Sequence, residues 1–185
     1  IAVRGEARLI LSTGASQFTT LEALIREDMD WSRVTMFHLD EYIGIDVTHP
    51  ASFIRYLQER FVSKSKVPLK AVHFGVETAI AALTEELNKA PVDVGLIGIG
   101  ENAHIAFNDP PADFDDTAAY KVVTLTPRCR QQQLGEGWFA TLEDVPTQAV
   151  SMTVQQILRC RHIISAVPYA VKAEAVYNTL NSPLW

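Results

Sequence analysis

Three short stretches of this chain carry side chains that can move protons or hold an anion. His38-Leu39-Asp40-Glu41-Tyr42 sets two carboxylates side by side at the end of an apolar run. A carboxylate there can take a proton from a carbon next to a carbonyl if burial lifts its pKa toward neutral. The plainer reading is a pair of solvated loop charges. Gly98–Pro110, reading GIGENAHIAFNDP, places His104 between Asn102 and Asp109. An imidazole held by a carboxylate or amide is a proton shuttle near neutral pH; a lone structural histidine is the bland alternative. Ser12-Thr13-Gly14-Ala15-Ser16 offers hydroxyls around a glycine just before a helical pattern. Such a segment suits a phosphate at a helix start, or simply an N-cap. It is not a P-loop, because the Gly-Lys-Ser/Thr ending is absent. Lys172 follows a late apolar run and can pair with a phosphate as a point charge. Arg128 and Arg130 carry the same ambiguity, while His49, His73 and His162 receive no role. One histidine with one nearby acid is a poor metal set, so no metal site is expected.

These residues need a scaffold, and the pattern supplies one. Short apolar or β-branched runs at Ala7–Ser12, Val34–Leu39, Val72–Phe74, Val92–Ile99, Tyr120–Leu125 and His162–Val167 read as strands. They alternate with helical patterns over Phe18–Glu27, Ser52–Phe61, Glu77–Lys89, Val154–Arg159 and Val171–Leu180. That alternation predicts a Rossmann-like α/β fold, an open, mostly parallel sheet with helices on both faces. Residues 100–118 and 127–147 break both periodicities and read as irregular, and the second is a candidate lid. In open parallel sheets, ligands bind outside the carboxyl ends of the strands. Ser12–Ser16, Asp40-Glu41 and Gly98–Asp109 each follow a strand, so the fold would gather them on one edge.

Composition narrows the classes. The chain has 185 residues, 48% of them hydrophobic and 21% charged, which fits one globular domain spanning 1–185. A formal charge of -6 with no basic stripe argues against a nucleic-acid partner. No apolar run is long enough for a membrane span. Cys129 and Cys160 form neither a disulfide framework nor a metal-spaced motif, which suggests a reduced, cytoplasmic setting. The first ten residues hold neither a signal segment nor an initiator Met, and Pro183-Leu184-Trp185 end without a cap. The expectation is a domain trimmed at both ends.

Taken in order, LSTGASQ, HLDEYIG, GIGENAHIAFNDPP, LTPR and VSMTVQQIL with VKAEAV resemble the glucosamine-6-phosphate deaminase/isomerase family, within a superfamily shared with 6-phosphogluconolactonases. The resemblance implies conversion of glucosamine 6-phosphate to fructose 6-phosphate and ammonia, without metal or nucleotide cofactor. It makes Asp40 the base at C2 and His104 the ring-opening group, oriented by Asn102 and Asp109. Ser12, Thr13, Gly14, Ala15, Ser16, Glu41 and Lys172 would then bind the substrate. Several positions depart from the family pattern: Asn102 stands for Asp, Ala103 for Gly and Asp109 for Glu, Gly135 falls where a phosphate-clamping arginine is usual, and Tyr169 and Val171 precede Lys172 where smaller or charged residues are usual. Asn102 is expected to weaken the triad or favour the wrong imidazole tautomer. A 6-phosphogluconolactonase-like hydrolase and a non-catalytic sugar-phosphate sensor are the alternatives. The expected partner is a small sugar phosphate, with no nucleic acid or membrane, and a homo-oligomer is possible on this reading.

Overall fold

The computed structural model describes residues 1–182, so the Pro183-Leu184-Trp185 ending lies outside the described residues. The strands are β1 (Ala7–Leu11), β2 (Val34–His38), β3 (Asp40–Tyr42), β4 (Ala71–His73), β5 (Val94–Ile97), β6 (Tyr120–Thr124), β7 (Gln148–Met152) and β8 (His162–Ser165). The α-helices are α1 (Phe18–Arg26), α2 (Phe53–Arg60), α3 (Ile80–Asn88), α4 (Pro127–Gly135), α5 (Val154–Leu158) and α6 (Ala173–Asn181). A five-stranded sheet runs β4-β2-β1-β5-β8, with every pairing parallel. That is the α/β sheet the strand-helix alternation predicts.

The side chains of this sheet alternate between two layers, as the strand period requires. Leu9, Leu11, Met36 and Leu96 face Leu21 of α1 and Leu57 of α2. Ile10, Phe37 and Ile97 face the other way, toward Leu83 and Leu87 of α3 and Ile157 of α5. Helices therefore cover both faces.

Three sequence expectations need correction. Tyr120–Leu125 does not join the parallel sheet: β6 lies in a separate antiparallel sheet of order β3-β7-β6. Its partners β3 and β7 are strands that the pattern does not reveal. Val150 and Met152 press this small sheet against the second layer, while Ala149 and Tyr42 look outward to Phe139 and Cys129. Thirdly, 127–147 is not all irregular, because α4 occupies its first half. Thr126 caps that helix by accepting from Cys129 N at 3.1 Å, and Pro127 stands in its first turn.

Candidate active site

At the carboxyl edge of the parallel sheet lies a cavity of about 650 Å³. Ser12–Ser16, Asp40, Gly98–Glu101, His104 and Lys172 all line it. Convergence at this edge is the expected consequence of the topology.

The loop after β1 turns on Gly14, whose φ of +96° is open to glycine and costly for other residues. Tyr56 from α2 donates to the Gly14 carbonyl at 2.9 Å, and Tyr169 donates to that of Ala15 at 3.3 Å. The loop is thus pinned from both sides. Ser12 is buried and its hydroxyl has no partner within the described residues. A buried hydroxyl left unpaired on a cavity wall is available to a ligand.

Asp40 and Glu41 are not loop charges. They belong to β3, where neighbouring side chains point to opposite faces. Asp40 faces the cavity. Burial, followed by the nearby Glu41 charge, pushes its carboxyl up to about 8. Glu41 turns away: its carboxylate accepts from Tyr42 N at 2.9 Å, Ser52 Oγ at 2.9 Å, Phe53 N at 3.1 Å and Ile54 N at 2.7 Å. It closes the N-terminus of α2, where a negative charge is favourable. The expectation that Glu41 binds substrate is therefore corrected; its acceptor capacity is already used.

His104 sits in a loop that only small residues permit. A Cβ on Gly100 would lie 2.1 Å from the His104 ring, so the backbone must come that close. Ala103 and Ala106 both adopt positive φ, 66° and 51°. Asn108 ties the segment down by donating to the carbonyls of Ile105 at 3.0 Å and Met152 at 2.8 Å. His104 Nδ1 hydrogen-bonds Asn102 Oδ1, and Asn102 Nδ2 donates to Asp109 Oδ1 at 3.1 Å. The shorter Asp109 still brings Oδ1 within 3.4 Å of Nδ1. Burial lowers the imidazole pKa below its ordinary value, and Lys172 adds to this while Asp109 and Glu101 oppose it. A neutral ring with one free nitrogen is the state suited to accepting a proton.

Several cavity residues escape sequence reasoning. Gln133 and Glu136 come from the end of α4, and Trp138 follows them. Arg55 and Arg60 come from α2, with Arg60 stacked 4.0 Å over the Phe18 ring. Ser52 caps α2 by accepting from Arg55 N, and the helical pattern over Ser52–Phe61 does not disclose that α2 begins beside this edge. Arg130 is excluded as a ligand group, because its guanidinium serves the carbonyls of Leu142 and Val145. Arg128 does not line the cavity. Among the described residues no group of three or more His, Cys, Asp or Glu is arranged to hold a metal.

The family profile described as glucosamine-6-phosphate isomerases/6-phosphogluconolactonase matches residues 1–184. A glucosamine-6-phosphate deaminase of Streptococcus pneumoniae serotype 4 is 34% identical over 184 residues, covering 97% of this chain and 77% of the relative. A monomeric glucosamine-6-phosphate deaminase superposes with a TM-score of 0.87 at 29% identity, covering 97% of this chain and 78% of that one. The 6-phosphogluconolactonase of Thermotoga maritima shares the fold, with a TM-score of 0.76 at 17% identity, covering 99% of this chain and 80% of that one. Profile and identity, each extending over nearly all of the sequence, place the chain in the glucosamine-6-phosphate isomerase/6-phosphogluconolactonase family.

Proposed function

We propose that the chain converts glucosamine 6-phosphate and water to fructose 6-phosphate and ammonia by acid–base chemistry. One observation carries the reading: Asp40, buried and with its carboxyl raised to about 8, lines the same cavity as His104. A base poised near neutral pH is what proton abstraction beside a carbonyl requires. The similarity to glucosamine-6-phosphate deaminases supports the choice of substrate.

In this scheme the free His104 nitrogen accepts the proton of the anomeric hydroxyl and returns it to the ring oxygen, opening the pyranose. Asp40 then removes the proton at C2, and the resulting enol takes a proton at C1. Water adds at C2 as ammonia departs, leaving the ketose. Ser12–Ser16 and Lys172 would hold the phosphate, the loop through its hydroxyls and backbone N–H groups and the lysine through its charge. The reading is of one domain acting on a free small molecule; the cytoplasm and a homo-oligomer belong to the same expectation. No helix among the described residues is long and apolar enough to cross a membrane.

An ammonia-release assay with glucosamine 6-phosphate is the test. Wild type should turn over, and Asp40→Asn should lose a factor of at least about 10². Binding without release would leave a sensor, while hydrolysis of 6-phosphogluconolactone without ammonia release would move the assignment to a lactonase.

A further inference from the structure

Beyond the cavity wall, Asp109 is held from a second direction. Its Oδ2 accepts from Thr126 Oγ1 at 2.7 Å, while its Oδ1 accepts from Asn102. Thr126 lies 17 residues along the chain, between β6 and α4, and its hydroxyl oxygen also accepts from Cys129 N. The hydroxyl therefore has one direction: it accepts from the helix and donates to the carboxylate.

Direction then propagates along the chain of bonds. A carboxylate offers acceptors only, so the Asn102 side facing it must be the NH₂ group. A flipped Asn102 would set its carbonyl oxygen against the carboxylate, leaving both acceptors facing each other. With NH₂ toward Asp109, the Asn102 carbonyl faces His104, and only an N–H at Nδ1 satisfies it. Nε2 is then the bare nitrogen. An amide beside an imidazole can support either tautomer when nothing fixes the amide. Here something does.

We infer that Thr126 is a positioning residue: by clamping Asp109 it orients the Asn102 amide and so selects the Nδ1–H tautomer of His104. The inference rests on the reading of His104 as the proton acceptor of the site. It answers the expectation that Asn102 would favour the wrong tautomer, because Asp109 dictates which end of the amide His104 meets. It also joins the proton relay to the start of α4, the helix that brings Gln133 and Glu136 to the cavity.

The test is ¹⁵N NMR of the histidine rings at pH 8, with His104→Gln used to assign the His104 signals. In wild type the protonated nitrogen should be Nδ1. Thr126→Val should shift His104 toward Nε2–H and lower kcat about ten- to hundredfold with KM changed less than about twofold. Thr126→Ser should restore both. Thr126→Gly is a tolerated N-cap for α4 yet offers Asp109 no donor; it should lose the tautomer with a thermal midpoint close to that of wild type. An unchanged tautomer in both Thr126→Val and Thr126→Gly would overturn the inference, as would a wild type that is already Nε2–H. The NMR readout does not need turnover. If the tautomer responds but no ammonia is ever released, the deaminase reading fails and the positioning role stands.

Discussion

Asp40 and its sequence neighbour Glu41 show how one peptide bond separates two chemistries. On a strand, adjacent side chains part, so one carboxyl is buried poorly solvated and the other is buried fully satisfied. The first is useful because it is destabilising. Asp40 rises from 3.8 to about 8 on folding, so between those pH values the folded chain holds a proton that the unfolded chain has released. Stability from this group is present below pH 3.8 and is lost as pH rises through 8. His38, two residues earlier, has the opposite sign. Its ring is buried with neither nitrogen partnered, and burial drops it from 6.5 to about 3. Its contribution is present above pH 6.5 and is lost as pH falls through 3. Each slope amounts to about 1.4 kcal/mol per pH unit per proton. The contributions of these two groups cancel between roughly 4 and 6.5 and leave falls on either side, read as the difference between wild type and each variant in denaturation measured across pH. Asp40→Asn should erase the alkaline fall while abolishing turnover, and His38→Leu should erase the acid one. Both slopes persisting in the variants would disprove the assignment.

At the scale of elements, the loop carrying His104 stores strain that two substitutions can read out. Gly100→Ala places a methyl carbon 2.1 Å from the imidazole, so the ring must leave its bond to Asn102. Activity should fall by more than about tenfold, alongside a stability loss of roughly 1–3 kcal/mol. Ala103, at a φ of 66°, is the reverse case. Ala103→Gly should gain about 1 kcal/mol in chemical denaturation, because a Cβ in the left-handed region is costly. These elements also show what a sequence discloses. The parallel strands are legible as short β-branched and apolar runs, buried in the central β2, β1 and β5 but half-buried in β4 and exposed in β8, and their order brings the loops to one edge. The short strand β3 is polar and only three residues long, so its pairing to β7 is a tertiary fact. Helix α4, reading PRCRQQQLG, has hardly any apolar face, and only the Thr126-Pro127 start signals it. Gln133 and Glu136 were hidden for that reason. Asp40 and His104 stood out by their types and their positions after strands, whereas Lys172 took its expected role only from the family resemblance.

For the whole molecule, the question is how a chain of net charge -6 receives a dianion. Net charge governs long-range steering, whereas a cavity answers to its nearest groups. Ser12, Gly14 and Lys172 all line the cavity, the first two from the loop after β1 and the lysine from the turn before α6. Glu136 lines the same cavity, its carboxyl pushed up by burial and held down by Lys172. The cavity thus straddles the junction between the parallel sheet and α4, which packs on the small antiparallel sheet. A ligand seated there should stabilise the fold as one unit. Glucosamine 6-phosphate at a hundredfold excess over its Kd contributes about 2.7 kcal/mol. For a domain of this length that corresponds to a rise in Tm of roughly 5–10 °C. Inorganic phosphate should shift Tm in the same direction but by less, having no sugar contacts. Lys172→Ala should remove most of the shift for both ligands, and Glu136→Gln should enlarge it by relieving a like charge. If Lys172→Ala shifts as wild type does, the phosphate lies elsewhere in the cavity, and Arg60, a lining residue stacked on Phe18, becomes the cation to substitute next.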